Sequence, residues 1–239
     1  MMKTKNLNNL WTLFYKMIIY NLRIIFANRF IWFLAGSVVF YCGLSVIYVF
    51  NSDVSRMDDL YGVFLFSGLL LVFYPSAFGI QNDQDARTIE ILFGIPNYRY
   101  KVWLVRIILI FVITFLIMMV FTFLASVLIV KFQVVKVTAQ VMVPVLFLGM
   151  MAFMLSTVVR NGNGTAVLMI IFGLIFMIMQ EPLRKSQWNV FLNPFTPTWD
   201  VNETTWAIIA LKNRIILITA TVLFLLAALY NLQKREKFM

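Results

Sequence analysis

Two uncharged apolar runs, Phe30–Phe50 and Leu60–Ile80, constrain this chain more than any other feature. At 1.5 Å of rise per residue, about 20 helical residues cover the roughly 30 Å of hydrocarbon in a bilayer. Lipid offers no partner for backbone N–H and C=O groups, so such runs are expected as helices that satisfy those groups internally. Four more apolar stretches follow at Val102–Val130, Ala139–Val159, Thr165–Met179 and Trp206–Tyr230. The last carries Lys212-Asn213-Arg214 near its start, which suggests a short surface helix feeding a span from about Ile215. Six spans are therefore expected, at about 30–50, 60–80, 102–130, 139–159, 165–179 and 215–230. Val102–Val130 is longer than a bilayer needs and is expected to tilt or to project, with Arg106 snorkelling to the near interface. Composition agrees: 62% of residues are apolar and only 13% charged, with mean hydropathy +0.88. A soluble domain is about half apolar and a quarter charged.

The fold class expected is thus an all-α polytopic membrane protein, a single transmembrane domain over residues 1–239 without internal repeats. Residues 7–28 are apolar but broken by Lys16, Asn21 and Arg23, which points to an interfacial helix lying along the membrane face. The N-terminus lacks a signal-peptide h-region with a small-residue cleavage site and is read as mature protein. Residues 180–214 mix polar and aromatic residues with Pro194 and Pro197 and are expected as an outer-side re-entrant or surface region.

The formal net charge of +10 does not point to nucleic acid, because the basic residues sit mainly at the ends of apolar runs, where anionic headgroups lie. Membrane lipid is the partner this implies. Basic residues of the N-terminus, loop 81–101, Arg106, Arg160 and the tail outnumber Arg56, Lys131, Lys136, Arg184, Lys185, Lys212 and Arg214. The positive-inside bias then puts both termini in the cytoplasm of a bacterial-type inner membrane. Tryptophans 11, 32 and 103 are expected at the inner edge and 188, 199 and 206 at the outer. There is no histidine, which removes imidazole catalysis and the usual transition-metal ligand. The single cysteine, Cys42, cannot form an intrachain disulfide. Fourteen methionines scattered through the spans read as packing rather than as a Cu(I) site.

The polar strip between the second and third spans, IQNDQDARTIEILFGIPNYRYKVW, carries the most information. Ile89, Leu92 and Phe93 fall on one side of a short helix that Pro96 would end, and charged residues rim it. Such a helix suits either a soluble partner or the lipid surface. The strip resembles the coupling region of type-2 ABC transporter permeases, in which an acidic residue, Thr-x-Glu-x-Leu and Pro-x-x-Arg follow the second span. Here Asp83 stands for the acidic residue, Thr88, Glu90 and Leu92 match, and Pro96 and Arg99 take the expected spacing. Arg87 stands where the family commonly has glycine. Ser156 with Arg160 and Ala166, then Leu192-Asn193-Pro194, then the basic tail 234–237 continue the likeness in order, so that it covers essentially the full length.

The resemblance implies the membrane subunit of an ATP-driven exporter with the type-2 fold, six spans preceded by an interfacial helix. RNGNG lacks the lysine and strand of a phosphate-binding loop, so the chain is not expected to be an enzyme or to hold a cofactor. ATP and Mg would belong to a partner ABC ATPase subunit, and a second permease subunit, identical or not, would complete the path. Asp83, Asp85, Arg87, Thr88, Glu90, Leu92, Pro96, Arg99 and Arg160 are the implied coupling residues. The second and fifth spans line the seam in that family, which nominates Phe66, Phe73, Tyr74, Met169, Phe172 and Phe176 as walls of the substrate path. Two other readings remain open: a non-transporting scaffold or sensor driven by an ABC ATPase, and an intramembrane lipid-group transferase.

Overall fold

The computed structural model describes residues 30–50, 57–85 and 99–232. The expected interfacial helix, residues 86–98 of the expected coupling loop and the basic tail lie outside the described residues. All regular structure among the described residues is helical. The order is α1 (Phe30–Phe50), α2 (Met57–Asp85), a π-helical turn (Arg99–Leu104), α3 (Val105–Leu128), α4 (Val134–Val159), α5 (Gly162–Ile178) and α6 (Glu203–Asn231). Five of these segments are long and apolar enough to cross a membrane. The sixth, α5, has 17 residues and is shorter. Side chains such as Val112, Leu116, Val120 and Val127 on α3, and Ile218, Val222 and Leu226 on α6, face outward. So much exposed apolar surface needs lipid around it, and the protein is a multi-pass membrane protein.

Helix α4 forms the axis of the bundle, packed against α2, α3, α5 and α6. Its approach to α2 depends on two glycines used reciprocally. A Cβ on Gly68 of α2 would lie 2.9 Å from Val145 Cγ2, and one on Gly149 of α4 would lie 2.1 Å from Val72 Cγ1. Each helix thus offers a notch to a valine of the other, the close packing that small residues permit where lipid removes the hydrophobic drive. Hydrogen bonds between helices add direction. Ser37 donates to the Ser67 carbonyl (3.0 Å), Tyr41 donates to the Phe121 carbonyl (2.8 Å), and the Thr122 and Thr138 hydroxyls meet at 2.7 Å. The Tyr41 ring also lies parallel to Phe121, with centroids 4.4 Å apart.

Three expectations require correction. The final apolar run is one helix, Glu203–Asn231, rather than a surface helix followed by a span, and Asn213 and Arg214 are buried in its course. Neutral partners absorb their polarity, so no break is needed. Arg106 does not reach for the interface but is buried with an acidic partner. Finally, Trp32, Trp188 and Trp199 are exposed, whereas Trp103 and Trp206 are buried and belong to the core. Trp103 packs on Phe153, and Trp206 on Leu192 and Ala210.

Candidate functional site

Helices α2 and α5 meet closely at one end and part toward the other. At the near end, the amide of Gly162 donates to Gln81 Oε1 at 2.5 Å, and a Cβ on Gly162 would lie 2.3 Å from the Phe78 ring. Only glycine permits this contact. The turn that delivers Gly162 is set by Arg160, the one non-glycine with positive φ (57°) among the described residues, whose amide caps α4 on the Ser156 carbonyl. Asn161 then caps α5, its side chain accepting from the Gly164 amide. On the other flank of the same end, Arg106 Nη1 donates to Asp83 Oδ2 at 2.7 Å, with side-chain exposures of 5% and 6%. The guanidinium also lies 4.8 Å from the centre of the Trp103 ring. Asn231 Nδ2 donates to Thr157, joining α6 to α4 at this level. The last turn of α2 is therefore fastened to α3 and to the α4–α5 turn. Residues 86–98 depart from this fastened end.

Away from it, two adjoining cavities with a shared wall open between α2 and α5. The inner one, about 320 Å³, is almost wholly apolar and includes Phe33, Phe66, Phe73, Leu148, Met169 and Gly173 in its wall. The outer one, about 710 Å³, shares Phe66, Leu69, Ile170, Gly173 and Phe191 with it. It continues to a polar mouth of Glu181, Arg184, Asn189, Asn193, Thr196 and Thr198. Pro75 lies one turn from the inner cavity and has no N–H to give the Leu71 carbonyl, a weak point in the α2 ladder beside the cavity wall.

Of the wall residues expected from sequence, Phe66, Phe73 and Met169 line the groove. Tyr74 does not. It is buried between Phe33 and Phe78 and accepts a hydrogen bond from Asn82 Nδ2 (3.2 Å). Phe172 and Phe176 stack on each other outside the lining, and Phe176 packs on Phe147. Of the residues expected to couple, Asp83 is turned inward, Asp85 is exposed at the end of α2, Arg99 opens the π-helical turn, and Arg160 forms the α4–α5 turn. Arg87, Thr88, Glu90, Leu92 and Pro96 lie outside the described residues.

Behind the mouth stands a group that the sequence reading placed on the surface. Arg214 donates to Gln140 Oε1 (2.8 Å), Asn213 Oδ1 (2.8 Å), the Tyr61 hydroxyl (2.9 Å) and the Leu192 carbonyl (3.1 Å). Asn213 in turn donates to the carbonyls of Gln187 and Asn189. These bonds hold residues 187–192 against α2, α4 and α6, and all of the named acceptors are neutral. The signal in sequence was available, since an ionisable residue inside an apolar run marks a functional position by default. At the solvent side of the same segment, Lys185 hydrogen-bonds Asp200 and holds its carboxyl below the usual carboxylate range. Comparison with protein-family models, curated proteins and solved structures finds no match to this chain.

Proposed function

We propose that this chain is the membrane-spanning subunit of an ATP-driven ABC exporter, coupled to a separate ATPase through the loop at 81–101. The observation that carries the reading is the fastened end of α2. Residues 86–98 emerge from a helix end tied by Asp83–Arg106 to α3 and by Gln81–Gly162 to the α4–α5 turn. A force on that loop would therefore act on α2, α3 and α5 together, and two of these helices bound the groove. Arg160 supports the same reading. An arginine held at φ 57° costs about 1–2 kcal/mol that glycine would avoid, and such strain gathers at functional positions. The groove would be the substrate path, with Phe66, Phe73 and Met169 in its wall, and a second permease subunit would close its open side. The chain itself would not hydrolyse ATP.

Tagged protein expressed from its native background is expected to bring down an ABC ATPase. Glu90→Ala in the loop is expected to uncouple ATP turnover from transport in the reconstituted complex. Absence of any ATPase, or Glu90→Ala leaving turnover and its stimulation unchanged, refutes the reading. Turnover without movement of any cargo would instead favour an ATPase-driven scaffold or sensor.

A further inference from the structure

Two side chains that line the outer cavity carry a hydrogen-bond donor with no acceptor among the described residues. Trp206 lines it, is 5% exposed, and its indole Nε1 is buried without a partner. Tyr61 also lines it and is 3% exposed. Its hydroxyl oxygen accepts from Arg214, and that is its one hydrogen bond among the described residues, which leaves the phenolic proton to give. A hydroxyl that accepts from a guanidinium is polarised into a stronger donor. A buried, unsatisfied polar group is costly, so the Trp206 indole N–H, with the Tyr61 hydroxyl proton still to give, calls for an acceptor that arrives from outside. Charge points the same way. The Arg214 guanidinium is buried among neutral acceptors behind this wall, and at the mouth Arg184 stands with Glu181 while its charge also acts on Asp200. Deeper in, the polarity ends: the adjoining inner cavity is almost wholly apolar and opens beside exposed Phe66 and Ile170.

We propose that the α2–α5 groove is a binding site for an anionic amphiphile drawn from the membrane. Its acceptor-rich head would sit against Tyr61, Trp206 and Arg184, and its apolar chain would fill the space between Phe66, Phe73 and Met169. The proposal deepens the exporter reading by giving its path a substrate class, but binding requires neither nucleotide nor ATPase. Gly173 offers a selective perturbation. It borders both cavities, and a Cβ there would meet nothing within 4 Å, so the side chain of Gly173→Leu starts in open space and takes up room in the groove.

The experiment uses the purified full chain in an uncharged maltoside detergent, with dodecyl phosphate carrying a photoreactive diazirine at the chain end. Crosslinked peptides are expected from Phe66–Phe73 and Met169–Gly173. Unlabelled dodecyl phosphate should compete at about tenfold lower concentration than dodecanol, and inorganic phosphate should compete poorly. Trp206→Phe, which keeps the ring and deletes the unused N–H, should weaken binding about tenfold without lowering the melting temperature. Arg184→Gln should weaken it severalfold, and Gly173→Leu should abolish it. Labelling spread over the α3 face at Val120 and Val127, or equal competition by dodecanol, overturns the proposal. So does a Gly173→Leu variant that is monomeric where the parent is dimeric, since the groove would then belong to a second copy. Failure of this test leaves the ATPase pull-down untouched, and failure of the pull-down leaves the site standing.

Discussion

Removing one partner of the Asp83–Arg106 pair tests how firmly the end of α2 is fastened. The two side chains are almost fully buried and 2.7 Å apart. At an effective dielectric constant of about 20, charges at roughly 4 Å attract by about 4 kcal/mol. Deleting one member strands the other, and losses of about 3–5 kcal/mol are typical of broken buried pairs. Asp83→Ala and Arg106→Ala should therefore each lower the melting temperature of the detergent-solubilised protein by on the order of 10 °C, on the scaling of domains this size. The combination Asp83→Asn with Arg106→Gln removes both charges and keeps groups able to hydrogen-bond. It should melt well above either alanine variant. Fluorescence-detected size-exclusion after heating a tagged protein measures these variants, and Asp83→Asn and Arg106→Gln made singly complete a double-mutant cycle with the parent and the double variant. If the effects of the two single substitutions simply add in the double variant, the pair does not fasten α2 to α3, and the route from loop to groove fails with it.

Other positions give independent checks. Gly149→Val should destabilise the protein by about 1–3 kcal/mol, because its Cβ would strike Val72 and Phe111, whereas Gly43→Ala, facing open space, should be neutral or slightly stabilising; melting curves compare the two. Asn213→Ala strands the carbonyls of Gln187 and Asn189, at a cost of about 2 kcal/mol, and should expose residues 183–201 to limited proteolysis before the helices open. The Asp200 carboxyl should titrate with a midpoint below the ordinary ~3.9, followed by its carbon-13 chemical shift. Because its folded value is lowered, its contact with Lys185 is complete above the ordinary value and is lost as pH falls through the lowered one; Lys185→Ala should return the midpoint to the ordinary range.

Much of the bundle was legible because apolar runs of membrane length have few alternatives. Phe30–Phe50 matches α1 residue for residue, and Leu60–Ile80 lies within α2. The errors came where a polar residue was read by its transfer cost alone. Lys212-Asn213-Arg214 looked like a boundary because an arginine in hydrocarbon is expensive. The structure offsets that cost with its neighbour Asn213 and with Gln140, Tyr61 and Leu192, contributed by three other stretches of chain that no local pattern announces. Arg106 was misplaced for the same reason, since Asp83 lies 23 positions away, at the end of a different helix. The groove was half legible. Periodicity cannot separate Phe73, which lines it, from Tyr74, which points into an aromatic stack one residue on.

The Gly162 contact gives α5 a mechanical character. With its first residue pressed on Phe78 and Gln81, the helix is pinned at one end, and its 17 residues extend about 25 Å from that point. A tilt of about 10° about the pin would carry Ile178 roughly 4 Å, several times any displacement at the pin itself. The shortest α-helix among the described residues thus works as an arm held at Gly162 and steadied farther along by Phe176 against Phe147. Displacements too small to disturb the packing of α4 at one membrane surface would become changes of molecular width at the other.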